Sequence, residues 1–109
     1  MNATPSADAV FHALAHATRR GIVARLGLGP AGVSELALGL DVSLPTFCKH
    51  LQVLEDAGVV RSDKAGRVRV YTLSPGGLAP AADWLAEQRA MWARRLDQLD
   101  AFLLSQGDP

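Results

Sequence analysis

Apolar positions recur at helical spacing through the first half of the chain. Val10, Phe11 and Leu14 mark one face of a helix over residues 7–15. Thr18 is placed to cap a second helix, TRRGIVARLGLG, whose Ile22, Val23 and Leu26 form an inward stripe before Gly27, Gly29 and Pro30 end it. Gly32 and Val33 lead into a short helix, SELALGL, with Ser34 at its start and Leu36 and Leu40 expected inside. Asp41-Val42-Ser43 is a tight connection to the next helix, over residues 44–57. Ser43 suits its N-cap, Pro45 falls in the first turn where a missing N–H costs nothing, and Gly58 stands ready as the residue beyond its end.

The period then changes from helical to alternating. Residues 59–62 and 67–73 read as two strands joined through Asp63-Lys64-Ala65-Gly66. In the second strand Arg67, Arg69 and Tyr71 share one face, and Val68, Val70 and Thr72 the other. Pro75, Gly76 and Gly77 separate this hairpin from a long final helix over residues 78–104. The order predicts a mainly α fold with a small β-hairpin: a winged helix-turn-helix, α-α-α-α-β-β-α, in a single domain over residues 1–109. The hairpin over residues 59–73 is the wing.

Composition narrows the classes left. A chain of 109 residues, 49% hydrophobic and 20% charged, is expected to be globular, and no apolar run approaches the roughly 18 residues of a spanning helix. The start, MNATPSADAV, lacks a basic segment and a long apolar stretch, so the expected location is the cytoplasm with no membrane partner. A lone cysteine forbids an intrachain disulfide and a four-cysteine zinc site. Formal net charge is zero, but residues 43–73 carry five cations against three carboxylates, and residues 74–109 run two negative. The positive surplus lies where the wing and the preceding helix are predicted.

On the helix over 44–57, Leu44, Phe47, Leu51 and Leu54 fall on one side and fix its seating. Pro45, Thr46, Lys49, Gln52 and Val53 lie opposite, with Cys48 and His50 on two flanks about 160° apart. A hydroxyl, a cation and an amide on one exposed face suit phosphates and base edges, although any surface helix is polar outside. The short helix before and the basic hairpin after favour double-stranded DNA as the partner. Ser43 is placed to offer its hydroxyl to a phosphate; Thr46, Lys49, His50 and Cys48 are placed towards base edges; Gln52 is placed towards the flanking backbone. Lys64, Arg67 and Arg69 are the wing's expected contacts. Arg19 and Arg20 either add backbone contacts or are solvated charges beside a helix cap.

These stretches carry a resemblance. LAHATRR, SLPTFCKHLQVLEDAGVV and GRVRVYTLSP resemble the ArsR/SmtB-type winged-helix repressors, and WLAEQRAMWARRLDQLDAFL resembles a subgroup ending in a long helix with paired tryptophans. The resemblance implies a homodimer that binds imperfect palindromes and represses a nearby operon. It implies that Ser43, Thr46, Cys48, Lys49 and His50 face DNA. It also implies that the first and last helices, with Val10, Phe11, Leu14 and Leu78, build the dimer interface. The last helix supports this independently: Leu78, Leu85, Trp92, Leu96 and Leu99 follow one stripe, continued by Phe102 or Leu103 and widened by Trp84 and Met91. That is more apolar surface than one small domain covers.

Many relatives of this type respond to metals, yet the residues for the usual sites are missing. The short helix reads Glu35-Leu36-Ala37-Leu38-Gly39-Leu40, without thiolates, and no histidine follows His50. The sequence therefore assigns no metal or cofactor. His12 and His16, four apart with Asp8 one turn earlier, have a spacing that chelates nickel or zinc, against a structural role for both. Cys48 at a DNA-facing helix start suggests a redox switch, against a plain half-buried residue. Cys48 and His50 point to opposite flanks and cannot act as a nucleophile–base pair, so no enzyme is expected. A winged helix used as a protein–protein adaptor is the other alternative, disfavoured by the polar helix face and the basic wing.

Overall fold

The computed structural model describes residues 6–106. Helix α1 (Ala7–Leu14) leads into α2 (Ala17–Leu26), then a short strand β1 (Ala31–Gly32) and the single-turn α3 (Val33–Ala37). Helix α4 (Leu44–Asp56) follows, then the hairpin β2 (Val60–Ala65) and β3 (Val68–Leu73), and last α5 (Ala79–Gln106). The three strands form one antiparallel sheet in the order β1-β3-β2. This is the mainly helical winged helix-turn-helix expected from the periodicity, with one strand added. Strand β1 pairs Ala31 with Tyr71 and Gly32 with Val70, tying the α2–α3 connection to the base of the wing.

One core joins these elements. Val10 and Ala13 of α1, Ile22 and Leu26 of α2, Leu36 of α3 and Phe47, Leu51 and Leu54 of α4 are buried together. Val59, Val60 and Tyr71 close it from the sheet, and Ala81 is the only buried residue of α5. Gly58, beyond the end of α4, takes φ +79°, the left-handed conformation that ends a helix without a Cβ penalty. Gly77 sits against this bend. A Cβ there would lie 2.6 Å from the Gly58 carbonyl oxygen, so only glycine lets the chain pass from wing to α5 so closely.

Several boundaries differ from the sequence expectation, each for a local reason. Helix α2 begins at Ala17, and its N-cap is His16, whose Nδ1 accepts the Thr18 N–H at 3.1 Å. Thr18 therefore lies inside the helix. Helix α3 is capped at Gly32, whose N–H donates to Glu35 Oε1 at 3.3 Å, so Ser34 also falls inside. It stops at Ala37, and Gly39 at φ +80° turns the chain away, leaving Leu40 42% exposed rather than buried. Asp63, Lys64 and Ala65 continue strand β2, and the turn is only Gly66-Arg67. Gly66 carries the positive φ, as the first central residue of a II′ hairpin does.

Helix α5 leaves the body of the protein. Every described residue beyond Gln88 is exposed, among them Trp92, Leu96, Leu99, Phe102 and Leu103. Its main contact with the rest of the chain is to α1, where Phe11 and Trp84 meet edge to face with ring centroids 5.7 Å apart. At 28 residues the helix is about 42 Å long, and the molecule is drawn out to 75 × 33 × 22 Å.

The expectation that Val10 belongs to a dimer interface needs correction. Val10 is fully buried in its own protomer's core, beside Ala13, and Leu14 is half-buried against that same core. The apolar band on α1 serves two neighbours: Val10 and Ala13 turn inward, whereas Phe11 turns to α5. Phe11, Leu78, Leu85, Trp92, Leu96 and Leu99 keep an exposed face.

Candidate nucleic-acid interface

Helix α4 presents two chemically distinct sides. Phe47, Leu51 and Leu54 are fully or almost fully buried, and these three seat the helix; Leu44, at its first turn, is exposed instead. At the N-cap, Ser43 Oγ accepts the Thr46 N–H at 3.4 Å and donates to Thr46 Oγ1 at 2.9 Å. The Ser43 hydroxyl is thus already used in the cap, and the Thr46 hydroxyl, with its own proton free, is the one left to reach outward. Ser43, Thr46, Cys48 and Lys49 are all exposed. Gln52 is exposed, but its amide donates to Asp56 Oδ1 at 2.8 Å, one turn further along.

His50 stands apart from this group. Its ring is half-buried towards the α1–α2 corner, with Nδ1 3.0 Å from the Arg19 guanidinium and the ring centroid 4.3 Å from that of His16. Arg19 itself is 9% exposed and bonded to the carbonyls at the end of α1. Arg20 remains exposed, with one nitrogen on the Leu14 carbonyl at 2.8 Å. Of the two adjacent arginines, one has become internal structure and one stays at the surface. Nothing in the residue pattern distinguishes them, and this is where sequence reasoning falls short.

The wing is bound to α4 by a polar chain. Arg69 donates to Ser62 Oγ at 3.0 Å, and Ser62 donates to Glu55 Oε2 at 3.2 Å, so the basic strand is tied to the end of α4. Arg69 and Tyr71 share a face of β3 as the alternation requires, yet they divide it: Tyr71 is buried against the core while Arg69 is exposed, and Arg67 falls in the turn before the strand. Burial pushes the Tyr71 phenol above its usual range, and the nearby Glu55 carboxylate adds to this. Lys64 and Arg67 at the hairpin tip are exposed.

For metals, His16 has one nitrogen committed to its cap. Among the described residues no group of three or more His, Cys, Asp or Glu side chains is arranged to hold an ion. Nor is any described helix long and apolar enough to cross a membrane.

A family model described as a helix-turn-helix domain matches residues 14–63, which span α2 to β2. The HTH-type transcriptional regulator Rv2034 of Mycobacterium tuberculosis is 43% identical over 108 residues, covering 99% of this chain and 98% of that protein. A crystal structure of an ArsR family transcriptional regulator shares the fold with a TM-score of 0.74 at 45% identity, covering 79% of this chain and 94% of the other. The chain belongs to the ArsR family of transcriptional regulators. Also similar is the arsenical resistance operon repressor of Escherichia coli, 38% identical over 90 residues and 77% of each chain. The protein is a DNA-binding transcriptional regulator rather than an enzyme.

Proposed function

We propose that this ArsR-family chain is a homodimeric repressor that reads an imperfect palindrome in the cytoplasm, with α4 of each protomer in successive major grooves. The observation that carries this is the two-sided build of α4. A buried Phe47-Leu51-Leu54 stripe locks its rotation, so Thr46, Cys48 and Lys49 are presented outward together from a capped helix start. A hydroxyl and an ammonium group at that end suit base edges and phosphates, and the Ser43 N-cap aims the first backbone N–H groups the same way. Lys64, Arg67 and Arg69 extend the positive surface sideways towards neighbouring phosphates. The repressor sense is supported by the relative from Escherichia coli, which is named for that action.

Dimerisation is supported by α5. Trp92 is 66% exposed and Leu96 57%, on the stripe shared with Leu85 and Leu99, and a monomer gains nothing from leaving such a face in water. A twofold pairing of these helices buries it and holds two recognition helices about 34 Å apart, one turn of duplex.

Salt dependence tests the wing's share. For a duplex carrying the chain's own upstream sequence, log affinity against log salt should be steep and linear, falling by about 0.9 per phosphate contacted. Lys64→Ala or Arg67→Ala is expected to flatten the slope by about two units in a homodimer, one contact per wing, and to weaken all sequences alike. Fluorescence anisotropy between roughly 50 and 200 mM salt measures it. Unchanged slopes in both variants would remove the wing from the interface, and salt-independent binding would remove the electrostatic reading altogether.

A further inference from the structure

The α1–α2 corner meets the recognition helix through one polar knot. Arg19 Nε donates to the Ala13 carbonyl at 2.7 Å, one terminal nitrogen donates to the His12 carbonyl at 3.1 Å, and the other faces His50 Nδ1 at 3.0 Å. The two carbonyls lie at the end of α1, where the His12 carbonyl also accepts the Ala15 N–H at 3.2 Å. A single side chain thus joins the end of α1, the start of α2 and the middle of α4. Against His50 lies the His16 ring, tilted 43°, whose own Nδ1 accepts the Thr18 N–H.

The protonation states follow from the donors. A guanidinium only donates, and so does a backbone N–H, so Nδ1 of His50 and Nδ1 of His16 must both be bare. The His50 ring is then neutral, with its proton on Nε2. A proton placed on His50 Nδ1 would set donor against donor at the Arg19 contact. A proton placed on His16 Nδ1 would remove the cap of α2. The charged and titratable groups that face His50 are Arg19 and His16 from the α1–α2 corner; α1 contributes the His12 and Ala13 carbonyls, through Arg19, and on its own helix Lys49 is exposed. Among the described residues no carboxylate pairs with any member of the knot, so nothing there compensates an added positive charge.

We propose that Arg19, acting through His50, is a positioning residue that sets the seating of the recognition helix, and that the tie holds only while His50 is neutral. This rests on α4 being the helix that reads DNA. Specific recognition needs α4 at one angle, whereas phosphate attraction tolerates several, so loosening the tie costs discrimination more than overall attraction. Burial holds the His50 imidazole below its usual 6.5, and the adjacent His16 and Arg19 act in the same direction. The unfolded chain therefore takes up this proton before the folded one does. The associated stability is full above about pH 6.5 and is lost as pH falls below it.

The test uses the full chain as wild type, His50→Gln and His50→Leu. Glutamine keeps an acceptor for Arg19 but cannot titrate; leucine removes the acceptor. The readouts are the ratio of operator to random-duplex affinity at pH 7.5 and 5.5, and the salt slope. The wild-type ratio should fall about tenfold on acidification, His50→Gln should hold its ratio at both values, and His50→Leu should be about tenfold lower already at pH 7.5. Salt slopes should stay at the wild-type value, since no phosphate contact is removed. A wild-type ratio in His50→Leu, a wild-type pH profile in His50→Gln, or a flattened salt slope in either overturns the proposal. Nitrogen NMR of the free protein checks the tie without DNA: both Nδ1 atoms should be unprotonated at pH 7.5, and a protonated His50 Nδ1 refutes it. If the tautomers are as expected but wild type does not prefer its operator, the reading of α4 fails and the positioning role fails with it.

Discussion

Trp92→Glu combined with Leu96→Glu is expected to give a folded monomer that has lost operator binding by two to four orders of magnitude. Both side chains lie on the exposed stripe of α5, beyond Gln88, the last described residue of the helix that is not exposed, so the core is not disturbed. Two glutamates placed in a twofold interface meet their own copies as well as losing apolar burial. Four carboxylates would then share one desolvated seam, and association cannot survive that. Loss of the dimer turns one bivalent event into two separate half-site encounters and removes the effective concentration that joins them, a factor of about 10² to 10⁴. Sedimentation gives the mass, circular dichroism the helix content, and gel shift the affinity. A dimer that persists would move the interface elsewhere; a monomer with unchanged affinity would show that dimerisation is not needed for binding.

The second large effect is on stability. Phe47 is fully buried in the core and is the largest of its fully buried side chains. Phe47→Ala removes the anchor of α4 and leaves a cavity in the core, at a cost of about 3–5 kcal/mol. Against a total of about 5–15 kcal/mol for a domain of this kind, that is a large part of the whole. Lys49→Ala, two residues along the same helix but exposed, should change stability by less than about 0.5 kcal/mol while weakening DNA binding. Chemical denaturation at fixed protein concentration measures the first quantity and anisotropy the second. Similar stability losses in both variants would contradict the two-sided reading of α4.

The contrast between these residues shows where the sequence was informative. Helix α4 was readable because its signals agree: Ser43 at the cap, Pro45 in the first turn, a Phe47-Leu51-Leu54 stripe and Gly58 at the end. The stripe on α5 was readable for the same reason, since 28 residues give a helical period ample room to repeat. Strand β1 was not, because two residues have no period and exist as a strand only by pairing with Tyr71 and Val70 of β3. Val10 was misplaced because a helix of eight residues carries one apolar band for two neighbours, and the division between them is decided by tertiary packing.

Within the candidate site the limits are of another kind. Thr46 and Lys49 were expected on the outer face and are exposed, and the proposal rests on them. His50 was expected there as well, but its ring is drawn towards Arg19, a residue 31 positions away. Helical geometry assigns a direction from the axis; it does not reveal what another element has placed there. Likewise the Ser43 hydroxyl, expected to reach for phosphate, is engaged by Thr46. Phosphate would instead meet the α4 N-terminus through backbone N–H groups and the Thr46 hydroxyl.

Hydroxyl-radical footprinting of the purified protein on the DNA upstream of its own gene tests the central claim most directly, because it reports position and symmetry together. The account predicts two protected stretches related by a twofold axis, with centres one helical turn (about 10–10.5 base pairs) or a multiple of it apart. Both should weaken together in Lys49→Ala. A single unsymmetrical footprint, or protection that Lys49→Ala leaves unchanged, would contradict it.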